Sequence, residues 1–354
     1  MASQPTMNAL VLHAVGDLRL ERIPRPEPGP GEVLVRVGFC GVCGSDIPRV
    51  FVKGTYSFPT VCGHEFAGTV EVAADDVRDF VPGDRVVVFP LLWCGKCAAC
   101  ELGRYVQCAD YDYYGSRRDG GFAEYVAVPT SNLVRVPSGV SMEAASMTEP
   151  AAVALHALKR AGGQFVGQTV AIFGAGPIGL ITAQWARTMC AARVILFDLV
   201  PEKLAMANRL GFDSTWDART VDPVEKIREL TGSHGAEVCI EGAGVPVTMT
   251  QAIAAARIDG RVVLLGNPSA DVTLPASLIS QAMRRELDIL GVWNSVFSAA
   301  GNNDDWRAVL DAVASGRIDL DCLVTHRVPL ERASDALVMI RDQREFLAKV
   351  LIRP

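Results

Sequence analysis

The rhythm of hydrophobic and polar positions changes near Ser141. Before it, apolar residues come in short runs such as Glu32-Val-Leu-Val-Arg-Val-Gly38, Ala67-Gly-Thr-Val-Glu-Val72 and Asp84-Arg-Val-Val-Val-Phe89. Short runs punctuated by Pro and Gly predict strands, so this part reads as a β-rich, partly barrel-like domain. Pro24, Pro26, Pro28 and Pro30 predict a stiff loop ahead of the first run. A helical pattern covers Ser141–Ala161, and strands and helices then alternate. Strands are predicted at Thr169–Phe173, Arg193–Phe197, Val238–Ile240, Arg261–Leu265 and Leu287–Val292. Helices are predicted at Ile178–Cys190, Pro201–Leu210, Val247–Ala256 and Ser277–Arg285. Apolar strands alternating with helices imply a doubly wound parallel sheet, an α/β fold. The tail is predicted to hold a helix, a short strand and a final strand, Lys349–Ile352, that returns to the first domain.

A chain of 354 residues is long enough for two domains. Its net charge of −6 argues against nucleic acid or an anionic membrane as partner. The longest apolar run, Ile172–Ala183, is broken by glycines and a proline and is too short to span a bilayer, so a cytoplasmic protein is expected. In that compartment ten cysteines read as metal ligands and buried thiols rather than disulfides. Cys94, Cys97, Cys100 and Cys108 follow the order C-x2-C-x2-C-x7-C. Four thiolates from one loop can close a tetrahedron around zinc, which predicts a structural site with no position left for substrate. The competing reading, a pair of disulfides or a redox pair, would have to fit three cysteines at two-residue gaps. Cys40, Cys62, Cys190, Cys239 and Cys322 carry no metal assignment and are expected to be buried thiols.

Gly174-Ala-Gly-Pro-Ile-Gly179 follows the strand Val170-Ala-Ile-Phe173 and opens a helix. In that context Gly174 permits the turn, Gly176 lets the backbone approach a pyrophosphate, and Gly179 lets helix and strand pack. The diphosphate would rest on the helix N-terminus at Pro177 and Ile178. Asp198 ends the next strand, placed to accept hydrogen bonds from the adenosine ribose and to repel a 2′-phosphate. NAD is therefore expected over NADP, and Lys203 is a further cofactor-binding candidate. Gly266 and Asn267, and Val292 and Trp293, lie after later strands, where an open α/β sheet binds its ligand. The plain alternative is a glycine-rich helix start and ordinary loops.

A catalytic zinc needs a second, open ligand set. Cys43 in Gly41-Val-Cys-Gly-Ser-Asp46, His64-Glu65 and Glu149 ahead of Pro150 are the candidates, although a lone Cys43 or His64 is more often buried structure than ligand. Read in order, G-V-C-G-S-D, G-H-E, the four-cysteine lobe, D-G-G-F-A-E-Y and G-A-G-P-I-G resemble the zinc-dependent medium-chain dehydrogenases/reductases over essentially the whole chain. The resemblance implies a GroES-like catalytic domain at 1–152 and 301–354, with a structural zinc lobe at about 90–110, and a Rossmann domain at 153–300. It implies a catalytic zinc on Cys43 and His64, with Glu65 as third ligand in the polyol branch and Glu149 binding directly or through water. With the lobe, that makes two zinc ions per subunit. It implies Ser45 as the first proton-relay hydroxyl; where many members carry a histidine three residues on, this chain has Pro48, which cannot carry a proton. Dimers or tetramers, built by pairing cofactor-domain edge strands near Leu287–Val292, are also implied.

A narrower resemblance is to the galactitol-1-phosphate 5-dehydrogenases and related polyol-phosphate dehydrogenases. It rests on C-G-S-D-I-P-R-V-F (43–51), P-L-L-W-C (90–94) and Y-D-Y-Y-G-S-R-R-D-G-G-F-A-E-Y (111–125). It implies oxidation of a polyol or polyol phosphate to a ketose or ketose phosphate. Arg49, Lys53, Arg117 and Arg118 are then candidate phosphate partners, since guanidinium forks match phosphate geometry; Asn294 is a further substrate candidate. The alternatives are a solvated basic loop; an unphosphorylated sugar, cyclitol or other alcohol as substrate; an NADPH-dependent reductase of carbonyls or activated alkenes; and a non-catalytic zinc protein.

Overall fold

The computed structural model describes residues 5–299, 301 and 304–354. Position 300, the expected end of the cofactor domain, lies outside them. The chain divides into two compact units, 1–150 with 296–354 and 151–295.

The first unit is built on a seven-stranded sheet. At its centre Glu32–Gly41 pairs antiparallel with Glu65–Ala73 and with Tyr125–Pro129. The final strand, Lys349–Arg353, pairs with the end of the same central strand, Leu351 opposite Gly41 and Ile352 opposite Cys40. A smaller sheet joins Thr6–Ala14, Asp17–Pro24 and Thr60–Val61. Alternate residues of these strands turn inward, so Leu10, Leu12, Val33, Val35 and Phe66 share one buried core.

The second unit carries a six-stranded, wholly parallel sheet. Its spatial order is Thr215–Asp217, Arg193–Asp198, Thr169–Phe173, Ala236–Glu241, Ala256–Leu264, Asp288–Gly291. Numbered along the chain this is 3-2-1-4-5-6, the order of a dinucleotide-binding sheet, and it reverses beside Thr169–Phe173. Phe173, Ile195, Phe197, Cys239, Ile253 and Val262 fill its core. Register aligns the carboxyl ends: Phe173 stands opposite Phe197 and Glu241, Glu241 opposite Leu264, and Leu264 opposite Gly291.

Three features differ from expectation. The helix over Ser141–Ala161 is two helices, Met142–Ser146 and Thr148–Arg160, parted at Met147. Pro150 is the reason: with no N–H it fits only a first turn, so a new helix must begin just ahead of it. The strand Thr215–Asp217 and the helix Pro223–Leu230 are additional, and the tail holds a second helix, Ala333–Asp342. Cys190 and Cys322 are exposed rather than buried. Cys190 follows the helix Pro177–Thr188 with φ 65°, and Cys322 lies in a short turn, places where side chains face outward. Cys40, Cys62 and Cys239 are buried as expected.

Candidate active site and metal centres

In the first unit, antiparallel pairing brings two short segments together. Gly41 ends the central strand and stands opposite Glu65, which begins the neighbouring one. Cys43 therefore follows one strand end while His64 and Glu65 lead into the other. The ligand atoms of Cys43, His64 and Glu65 all lie within 4.8 Å of one another. Glu149 is not part of that set. It is buried, and its carboxylate accepts a 3.5 Å hydrogen bond from the Tyr113 hydroxyl. Burial, with repulsion from Glu65 opposed by His64, pushes the Glu149 carboxyl up to about 7.

Asp46 and Lys349, which the sequence reading assigns no role, support these side chains. Asp46 is fully buried; its Oδ2 accepts the Cys43 N–H at 2.9 Å and its Oδ1 accepts Arg49 Nη1 at 2.6 Å. His64 Nδ1 lies 3.5 Å from the same carboxylate without meeting hydrogen-bond geometry. Burial disfavours charge on the imidazole, but Asp46 and then Cys43 raise its pKa well above the ordinary value. With Nδ1 turned to Asp46, Nε2 is left for a ligand, an arrangement common where a carboxylate orients a metal-binding histidine. Lys349, buried on the final strand, ion-pairs with Glu65 and donates to the Val42 carbonyl at 3.1 Å. Gly41 makes room for this pair: a Cβ there would fall 2.3 Å from Glu65 Oε2 and 2.9 Å from Lys349 Cε. Asp46, three residues beyond Cys43, has a local signal in sequence; Lys349 has none, because it meets Glu65 across 284 residues.

The basic candidates separate. Arg49 is paired with the buried Asp46 through Nη1. Arg118 pairs with Asp112 at 3.3 Å. Lys53 is exposed. Arg117 is stacked between Tyr56 and Tyr111, its Cζ 3.9 Å and 4.5 Å from their ring centroids.

The cysteine lobe also converges. The short helix Ala98–Glu101 starts at Cys97 and carries Cys100. Sγ–Sγ separations are 3.5 Å for Cys97–Cys100, 3.9 Å for Cys97–Cys108 and 4.0 Å for Cys94–Cys100. These are far too long for disulfides, and they match the edge of about 3.8 Å of a tetrahedron with 2.3 Å zinc–sulfur bonds. The Ala109 N–H, with help from Cys100, pulls the Cys97 thiol down to about 6; desolvation and shared hydrogen bonds push Cys100 up to about 12.

In the second unit the glycine turn has the expected form. A Cβ on Gly179 would fall 1.9 Å from the Gly174 carbonyl, so helix and strand touch there; beside Gly176 the space is open. That open cradle at the start of the helix Pro177–Thr188 fits a diphosphate. Asp198 Oδ2 accepts Ala175 N–H at 2.7 Å, its Oδ1 accepts the N–H groups of Leu199 and Val200, and Lys203 Nζ lies 3.5 Å away. A further carboxylate escaped the sequence reading. Glu241, fully buried, accepts from Ala243 N, Gly244 N and Thr248 Oγ1 and so ties the loop that faces Gly266 and Asn267. Val292 donates to the Leu264 carbonyl, and Trp293 is exposed. Asn294 turns its side-chain oxygen to its neighbour Ser295, whose N–H donates at 2.8 Å, instead of outward.

Comparison with known proteins agrees with both units. The alcohol dehydrogenase GroES-like domain matches residues 29–138, and the zinc-binding dehydrogenase domain matches residues 177–315. The galactitol 1-phosphate 5-dehydrogenase of Escherichia coli (strain K12) is 34% identical, over 98% of this chain and all of its own. The sorbitol dehydrogenase of Homo sapiens is 35% identical, over 95% of this chain and 93% of its own. A solved structure described as a zinc-binding dehydrogenase from Sinorhizobium meliloti 1021, bound to NADP, superposes with a TM-score of 0.91. It is 35% identical and covers 99% of this chain and 100% of that one. The chain belongs to the zinc-dependent medium-chain dehydrogenase/reductase family, among relatives that are polyol dehydrogenases.

Proposed function

We propose that this chain oxidises a secondary alcohol of a polyol or polyol phosphate to the corresponding ketose, with NAD as hydride acceptor. The convergence of Cys43, His64 and Glu65 beside the buried Glu149 carries the proposal. One sulfur, one nitrogen and one oxygen leave a fourth position free, as a catalytic zinc requires. The names of the relatives support the polyol class. When bound, zinc supplies a Lewis acid toward the substrate hydroxyl, and the nicotinamide supplies the hydride acceptor.

Cys43, His64 and Glu65 would hold the catalytic metal, and Cys94, Cys97, Cys100 and Cys108 a structural one. Asp46 fixes the Cys43 backbone and the orientation of His64, and Lys349 fixes Glu65. Ser45 caps the short helix Asp46–Pro48 without a side-chain bond, so its hydroxyl is free to accept the substrate proton while passing on its own. Pro48 cannot pass that proton on. Glu149, buried beside His64 and Glu65, is the carboxylate proposed to receive it. Ser45→Ala is expected to lower turnover about tenfold or more while NAD affinity is kept. Wild-type turnover in that variant would remove Ser45 from the path.

The NAD assignment rests on Asp198 at the end of its strand. NADP is the second reading, favoured by Lys203 beside that carboxylate and by the NADP in the Sinorhizobium structure. The deciding experiment measures zinc content and kcat/KM with galactitol 1-phosphate, galactitol, sorbitol and xylitol, using NAD and then NADP. Two zinc ions per chain and NAD reduction by a polyol or its phosphate are expected. Asp198→Ala should weaken use of NAD about tenfold, the worth of a hydrogen bond to a charged group, and narrow the gap to NADP. One zinc and no reduced cofactor with any alcohol would point to a non-catalytic protein.

A further inference from the structure

A line of aromatic rings leads away from the catalytic cluster within the first unit. The His64 ring lies 5.8 Å from Tyr113, and Tyr113 stands edge-on to Tyr111 at 6.4 Å. Tyr111 in turn covers one face of the Arg117 guanidinium, and Tyr56 covers the other. The turn that holds these residues is fixed by its backbone: Gly115, Arg117 and Arg118 N–H groups donate to the Arg118, Tyr113 and Tyr113 carbonyls. Tyr56 joins it through its N–H, which donates to the Ser116 carbonyl at 3.1 Å.

Among the four basic side chains considered above, Arg117 alone is held in place with no acid beside it. Arg49 is matched by Asp46 and Arg118 by Asp112, while Lys53 projects into solvent. Arg117 forms no ion pair among the described residues, and its Nε is buried with no hydrogen-bond partner. Two flanking rings stabilise a guanidinium by cation–π attraction, and they fix its plane. A side chain held in this way loses little rotamer freedom when a ligand binds, so its interaction with an anion is not offset by ordering.

We infer that Arg117, clamped between Tyr56 and Tyr111, is the receptor for a phosphomonoester at the end of the polyol remote from the oxidised carbon, and sets a preference for phosphorylated substrates. The inference rests on the polyol-dehydrogenase reading. Planar N–H pairs match the oxygens of a phosphate, and a doubly charged group gains most from a cation with no competing carboxylate. A sugar-acid carboxylate shares part of this chemistry, so it serves as a separate arm of the test.

The experiment compares kcat/KM for galactitol 1-phosphate, galactitol and gluconate in the wild-type protein, Arg117→Lys and Arg117→Gln, with zinc content and circular dichroism as checks of folding. The wild type should prefer the phosphate ester. Arg117→Gln should reduce the ratio of phosphorylated to unphosphorylated kcat/KM at least tenfold, chiefly through KM. Arg117→Lys should recover part of it, since the charge stays but the fork is lost. An unchanged ratio in Arg117→Gln, or a wild type that prefers galactitol or gluconate, overturns the inference and leaves the polyol reading standing. Failure of all polyols and their phosphates to reduce either cofactor overturns both.

Discussion

Cys43→Ala is expected to leave a folded protein that holds one zinc per chain and has lost polyol oxidation by about a thousandfold or more. On the proposed assignment Cys43 is one of three ligands, and removing it takes away most of the metal affinity of the open site. The Lewis acid that goes with it is worth several kcal/mol of transition-state stabilisation, and about 4 kcal/mol corresponds to three powers of ten in rate. The fold should survive. Cys43 is half-buried and follows the strand Glu32–Gly41 rather than lying inside it. Its N–H, the group that ties it to Asp46, is backbone and stays in the variant. Metal analysis and steady-state kinetics on the same preparation test this. A variant that keeps two zinc ions and near-normal turnover would show that the cluster of Cys43, His64 and Glu65 is not the reacting site.

Cys100→Ser should act on folding first. Cys100 is buried, and its sulfur lies within 4.0 Å of both Cys94 and Cys97. Within the lobe Trp93 stacks on Tyr105 at 4.1 Å and lies near Phe89 and Phe297. A structural zinc contributes folding free energy directly. Losing it should lower the first unfolding transition on the order of 10 °C, from about 3–4 kcal/mol at 2–4 °C for each. Protease cleavage within 94–108 should rise as well. Activity should then fall in proportion to the unfolded fraction. The reverse pattern, a variant with wild-type melting and assembly but no hydride transfer, would give the lobe a direct part in the chemistry.

What could be read in the sequence was local. The strand–turn–helix around Gly174–Gly179 and the cysteine lobe each lie within a short stretch, so spacing alone carries their geometry. Cys43, His64 and Glu65 needed the family resemblance, because 21 residues separate Cys43 from His64 and only strand pairing brings them together. The helix at Pro223–Leu230 has a start signal, Asp222 ahead of Pro223, that a simple alternation of strands and helices passes over. Thr215–Asp217 is three residues long with polar ends and has no periodic signal to find. The basic residues of 49–118 look alike in sequence; only the positions of Asp46 and Asp112 distinguish those already matched from Arg117.

The ion pair between Glu65 and Lys349 has a consequence for the order in which the site is built. Cys43, His64 and Glu65 lie within one early stretch of chain, so their convergence closes a short loop. Lys349 reaches Glu65 across 284 residues, after the whole second unit has been threaded between them. Contacts of such separation form late, because closing them costs entropy before anything is gained. The site therefore has an early half that offers ligands and a late half that holds Glu65 in place. Metal offered while the chain folds is then expected to meet a Glu65 carboxylate not yet held by Lys349, whereas metal offered to the finished protein meets one already oriented.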